Sequence, residues 1–197
     1  ALNRYTELLN NLRYEIESSD AKVFLITSTK KGEGKSLFIE SLAYKLNRTG
    51  RKILLIDTNF KNNSLTRRFS PDVALEQLFQ GQEGHTTVSN TNIEGIDIIG
   101  CEGGSYSPSE AFNQENFGLL LGELIQDYDY IFLEGASLNH YSDSKELFHF
   151  VEKIIALFSA DSTVNQLDKN AIAYLNNMNG KAMGGILNNV ENENLNQ

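Results

Sequence analysis

Gly32, Gly34, Lys35 and Ser36 close the stretch FLITSTKKGEGKSL, residues 24–37, where a short apolar run breaks into a Gly- and Lys-rich turn before a helix resumes. The chemistry this order suits is the cradling of phosphate. Glycines at 32 and 34 let the backbone curl so that successive N–H groups point inward, at angles that only a residue without a Cβ adopts cheaply. Lys35 then falls where an ammonium reaches β and γ phosphates. Ser36 offers a hydroxyl to Mg²⁺ at the start of a helix whose dipole adds to the attraction. The pattern GxxxxGK followed by Ser or Thr is missed by one position, because Thr29 stands at the first Gly. The residues expected to line ATP or ADP, with Mg²⁺, are Thr29, Lys30, Lys31, Gly32, Glu33, Gly34, Lys35, Ser36 and Leu37. The plainer reading is a Gly-rich turn carrying solvated lysines.

The elements that must position this turn follow from periodicity. Residues 22–27 read as the strand entering it and 36–47 as the helix leaving it, closed by Thr49-Gly50. The continuous apolar run 53–56 is that of a parallel strand buried on both faces, so one βαβ unit is complete by Asp57. Before it, Leu8, Leu9, Leu12 and Ile16 recur at helical spacing within 5–16. After it come a polar stretch at 58–72 and a helical pattern over 73–79 closed by Gly81. Strand 96–99 is followed by a Gly-rich loop and a short helix near Pro108, then helix 117–125 and strand 130–133. Helix 146–151, strand 154–159, helix 164–178 and strand 183–187 complete the series. Alternating strands and helices predict an α/β, doubly wound, mostly parallel sheet flanked by helices.

Length and composition set outer limits. With 197 residues and 40% hydrophobic content the chain builds one core, read as a single domain over 1–197 with an N-terminal helix within 1–20 and a flexible tail at 190–197. A net charge of −9 argues against a nucleic-acid partner, whose phosphates call for clustered Lys and Arg. Basic residues gather only at 30–35 and at Arg67 and Arg68, the latter read as a solvated pair. The lone Cys101 forms no intramolecular disulfide, which favours a reducing compartment. His85, His140 and His149 lack metal-ligand spacing, so zinc is not expected. Tyr128 and Tyr130 are expected to pack beside their strand. A start on Ala1 that runs straight into a helix suggests an excised fragment.

The order of motifs resembles the bacterial tyrosine kinase domains of capsule and exopolysaccharide systems, within the deviant-Walker P-loop ATPases that also include cell-division and partition ATPases. The resemblance rests on four stretches: ELLNNLR at 7–13 against ExxRxxR, TSTKKGEGKS at 27–36, LLIDTNFK at 54–61 against an apolar strand ending in DxDxR, and YIFLEGAS at 130–137 against a strand ending in Asp-Thr-Pro-Pro. GGILNN at 184–189 is similar to the family's terminal strand, with Asn188 near the nucleotide base. The departures are Asn10 and Lys31 for Arg and Pro, Asn59 for the second Asp, Lys61 for Arg, Glu134 for the Walker B Asp, and a tail without a tyrosine cluster.

What the resemblance implies is specific. Lys35 and Asp57 would be catalytic, and Ser36, Asp57 and Glu134 would hold Mg²⁺; for Asp57 the alternative is a carboxylate that caps a strand end. Glu7 and Arg13 would make a self-association contact. A transmembrane polysaccharide co-polymerase segment, in cis or in trans, would place the domain at the cytoplasmic face of the inner membrane. The expected function is nucleotide binding in the control of polysaccharide assembly and chain length, with little autokinase activity because two carboxylate positions are altered. Three rivals stand beside it: an active tyrosine autokinase, a partition-type ATPase dimerising through Lys30, and a scaffold that binds no nucleotide.

Overall fold

The structure is a computed structural model that describes residues 2–80 and 88–190. Ala1, the segment 81–87 with Gly81 and His85, and the tail 191–197 expected to fray lie outside the described residues. In chain order the elements are α1 (Leu2–Ser18), β1 (Val23–Ser28), α2 (Lys35–Asn47), β2 (Ile53–Asp57), α3 (Ser64–Phe69), α4 (Leu75–Phe79), β3 (Ser89–Asn90), β4 (Ile96–Ile99), α5 (Pro108–Ala111), α6 (Gln114–Leu124), β5 (Tyr130–Glu134), α7 (Asp143–Leu147), β6 (Lys153–Ser159), α8 (Gln166–Asn176) and β7 (Ala182–Asn188). Among the described residues no helix is long and apolar enough to cross a membrane.

Strands made only of apolar residues have no face to give to water, so they must be covered on both sides. The seven-stranded sheet runs β3-β4-β2-β5-β1-β6-β7, and only the edge strand β3 is antiparallel. On one face Phe24, Ile26, Leu55, Phe132 and Ile155 pack under α1 and α2 through Leu9, Ile16, Phe38, Ile39 and Leu42. On the other, Leu25, Leu54, Ile131, Leu133 and Ile154 meet Phe117, Leu121, Leu124, Leu147 and Leu175 of α6, α7 and α8. Neighbouring residues of one strand thus serve opposite cores, and each fully buried Leu, Ile or Phe stabilises by roughly 1.5–3 kcal/mol.

The expected α/β fold is the observed one, with local differences. The polar stretch after Asp57 holds a 3₁₀ turn at Phe60–Asn62 and the helix α3, too short to show apolar periodicity. Its start is nonetheless signalled by Asn63-Ser64 ahead of the buried Leu65. The helix expected at 146–151 is α7, beginning at Asp143, followed by a 3₁₀ turn at Phe148–Phe150. The helix expected from 164 starts at Gln166, because Asn165 caps it by accepting the Asp168 N–H at 3.0 Å. Gly50 ends the turn after α2 at φ +83°, as its position implied.

Candidate nucleotide site

Strand order assembles the site. β5 lies between β1 and β2, with Glu134 beside Ile26 on one side and Asp57 on the other, so the strand ends carrying Ser28, Asp57 and Glu134 are neighbours. Such a set of adjacent carboxyl ends is where open α/β sheets bind ligands.

The loop from Thr29 to Gly34 holds its curl by its own groups. Gly32 and Gly34 take φ of +78° and +86°, the left-handed region that glycine enters cheaply. Glu33 turns inward and is buried; its carboxylate accepts the Lys30 N–H at 2.9 Å, the Ser159 N–H at 3.2 Å and the Thr29 hydroxyl at 3.2 Å. Asn188 donates from Nδ2 to the Glu33 carbonyl at 3.0 Å, and a Cβ on Gly34 would stand 2.4 Å from that nitrogen. Leu138 N–H to Ser28 O at 2.8 Å and Asn139 N–H to Thr29 O at 3.0 Å tie the segment after β5 to the loop. Leu37, on the first turn of α2, is 58% exposed.

Behind the loop sits a buried charged cluster. Lys35 is 7% exposed and donates to Ser28 Oγ at 2.8 Å. Ser36 Oγ donates to Glu134 Oε1 and Oε2 at 2.9 and 3.0 Å and lies 2.6 Å from Ser64 Oγ. Burial pushes the Glu134 carboxyl up to about 7, and the nearby Asp57 adds to this, against the pull of the Lys35 ammonium and the Ser36 and Ser64 hydroxyls. Burial likewise holds Lys35 below the ordinary lysine range, opposed by Glu134, Glu33 and Asp57. Asp57 is raised by its burial despite hydrogen bonds from Thr66, Asn59 and Cys101.

Asp57 is turned toward α3. Its Oδ2 accepts the Thr66 N–H at 2.8 Å and the Thr66 hydroxyl at 2.7 Å, while Oδ1 accepts the Asn59 N–H at 3.0 Å. Asn59 accepts the Asn62 N–H on its own side-chain oxygen at 3.2 Å and so serves its own turn. The capping alternative therefore describes the contacts that Asp57 makes.

The other expected residues are placed individually. Lys30 sends its ammonium back into its own chain, to Asp168 Oδ2 at 3.1 Å and Thr163 O at 2.8 Å. Lys31 and Lys61 lie over the Tyr141 ring at 4.9 and 5.8 Å from its centroid. Glu7 is exposed on α1, and Arg13 pairs with Glu17 one turn further along the same helix. Tyr128 and Tyr130 are buried, as expected, and the Tyr128 hydroxyl donates to Asp97 at 2.7 Å. Arg67 donates to Asn62 and Asn63, and Arg68 pairs with Glu40, so the basic pair is held by surface partners. Ser28, Ser64, Thr66 and Asp168 were not singled out in the sequence; for Ser64 the helix-start pattern was the available signal.

The donor set suits a hard cation. Two hydroxyls and a buried carboxylate are oxygen ligands of the kind Mg²⁺ takes, and the Ser36 hydroxyl that donates to Glu134 keeps lone pairs for a metal. The fold is the one shared by bacterial tyrosine-kinase domains and MinD-like proteins.

Comparison with known proteins agrees. No family model matches the chain. CapB of Staphylococcus aureus is 23% identical over 190 residues, spanning 94% of this chain and 82% of that protein. The tyrosine-protein kinase CpsD of Streptococcus pneumoniae is 25% identical over 187 residues, 93% of this chain and 81% of that one. The kinase domain of the Escherichia coli tyrosine kinase ETK superposes with a TM-score of 0.79 at 19% identity, over 92% of this chain and 72% of the other. The cell-division protein MinD of Pyrococcus horikoshii, solved with Mg-ADP, gives 0.67 at 18% identity over 84% and 69%. The chain is thus similar along most of its length to bacterial tyrosine-protein kinases, with MinD-like ATPases sharing the fold.

Proposed function

We propose that this chain is a nucleotide-binding domain of the kind found in bacterial tyrosine kinases of capsule and exopolysaccharide systems. It binds ATP or ADP with Mg²⁺ through the loop 29–37 and serves polysaccharide assembly more by nucleotide-dependent binding than by turnover. The observation that carries the reading is the buried Lys35 held by Ser28 beside Ser36 and Glu134, at the mouth of a loop whose two glycines are in the left-handed region. The ammonium already faces the carboxylates of Glu134, Glu33 and Asp57, and a bound phosphate would add a further anionic partner at the loop. A bound Mg²⁺ would neutralise charge on the terminal phosphates. Ser36 and Glu134 would hold it, Lys35 would meet the β and γ phosphates, and Asn188 would keep the loop in place beside the base. Asp57, whose carboxylate accepts from Thr66 and Asn59, would act on the site through α3. With Asn59 neutral, charge stabilisation of phosphoryl transfer is reduced, which favours weak or absent autokinase activity.

The same reading places the domain at the cytoplasmic face of the membrane, working with a transmembrane co-polymerase segment in cis or in trans. It also gives Glu7 and Arg13 a weak self-association contact on α1. The alternative of a partition-type dimer is less supported, because the Lys30 ammonium is engaged by Asp168 of the same chain. The test is melting of the wild type and Lys35→Ala with Mg²⁺-ADP. A ligand at 100 times its Kd stabilises by about 2.7 kcal/mol, so the wild type gains several degrees and the variant none. Equal melting of both at millimolar nucleotide refutes the proposal.

A further inference from the structure

The residue that stands out beyond the expected loop is Ser64. Its hydroxyl lies 2.6 Å from Ser36 Oγ and 3.4 Å from Glu134 Oε1, while Ser36 itself reaches both Glu134 oxygens. Three side chains from three separate segments, the helix after the loop, the start of α3 and the end of β5, therefore form one closed hydrogen-bonded group. Glu134 within it is 1% exposed.

The placement of Ser64 has a traceable cause. It is the first residue of α3, where N–H groups lack partners within the helix. Asp57 satisfies that helix start by accepting both the N–H and the hydroxyl of Thr66. The end of β2 thereby fixes where α3 begins, and so where the Ser64 hydroxyl sits. Asn59, which stands at the position of the missing carboxylate, faces its own turn and adds nothing to the group.

We infer that Ser64 is a further residue of the metal–phosphate site, sharing Glu134 with Ser36, and that Asp57 acts on this site as a positioning residue through Thr66. This rests on the nucleotide–Mg²⁺ reading above. Ligand oxygens next to one another around an octahedral Mg²⁺ stand about 2.9 Å apart. Two hydroxyl oxygens at 2.6 Å need part only slightly to serve one ion. Both are neutral hydroxyls, so Glu134 is the one ionisable group among the three.

The experiment is calorimetric titration of the whole chain with ADP, in Mg²⁺ and in EDTA, for the wild type, Ser64→Ala, Ser64→Thr and Thr66→Val. The wild type binds more tightly in Mg²⁺. Ser64→Ala loses about fivefold of that metal-dependent gain, the worth of one polar contact, while its affinity in EDTA stays within about twofold of wild type. Ser64→Thr keeps the hydroxyl and the gain. Thr66→Val, which touches neither Ser36 nor Glu134, shifts the metal-dependent gain in the same direction. An unchanged Mg²⁺-to-EDTA ratio in Ser64→Ala, or an equal fall under both conditions, overturns the inference and leaves nucleotide binding standing. A wild type that binds ADP equally in both overturns the metal reading and this inference together, and one that binds no ADP overturns the proposed function itself.

Discussion

A Cβ placed on Gly34 would lie 2.4 Å from Nδ2 of Asn188, so the last strand of the sheet and the loop after the first one close on each other with no room for a methyl group. Gly34 also sits at φ +86°. Gly34→Ala is therefore expected to cost about 1–2 kcal/mol from backbone strain alone, with the contact added to it. In Gly34→Ala with Asn188→Ala the contact goes and the strain stays, so melting temperature recovers in part while the Mg²⁺-ADP shift remains lost. Full recovery of both would show that the left-handed turn is dispensable.

Gly135 occupies a position that the resembled kinases give to Thr, and the surroundings leave no space for one. A Cβ there would meet Ser144 Oγ at 2.4 Å and Leu25 Cδ1 at 3.0 Å. Gly135→Ala is expected to lower stability by about 1–3 kcal/mol through overpacking. Combined with Ser144→Ala, the two losses should sum to less than their separate values, because removing the hydroxyl relieves one of the contacts. Urea unfolding of the four proteins measures the coupling, and strict additivity would contradict the geometry.

Lys30 provides the separation between kinase-like and partition-like behaviour. Its ammonium is bound by Asp168, a buried carboxylate that also accepts from Asn139 Nδ2 at 2.6 Å and from the Asn165 N–H at 2.8 Å. Lys30→Ala is expected to destabilise the monomer by about 1 kcal/mol, the loss of one partly exposed ion pair, because Asn139 and Asn165 still donate to Asp168. Sedimentation with and without ATP should give the same association for this variant as for wild type. Loss of an ATP-dependent dimer would restore the partition reading.

Glu134 sets a pH dependence with a definite sign. Burial, aided by Asp57, raises its carboxyl from 4.5 to about 7 in the folded chain. The folded state thus holds this proton when the unfolded state has lost it. The contribution to stability is full below about 4.5 and declines as pH climbs to about 7. In EDTA, Glu134→Gln should melt above wild type at pH 7.5, by at most about 3 kcal/mol, with the gap closing toward pH 4.5. A gap that widens on acidification would mean that Glu134 is held as the carboxylate.

Much of this protein was legible in the chain itself. Spacing of Gly32, Gly34, Lys35 and Ser36, the apolar runs of β1, β2 and β5, and the alternation of strands with helices each depend on residues a few positions apart, and local geometry obeys local pattern. Even the packing of Tyr128 and Tyr130 followed from their place beside an apolar strand. What periodicity does not encode is which strand lies beside which. Only the insertion of β5 between β1 and β2 brings Glu134 to Ser36. Only the docking of α3 gives Ser64 its place and turns Asp57 from a free carboxylate into the anchor of a helix. The same holds for Lys30, whose partners arrive from the loop and helix after β6. The physical reason is common to all three. A residue type sets what hydrogen bonds and charge a side chain can offer, but its role is decided by the donors and acceptors that reach it, and those come from distant segments through the order of the sheet.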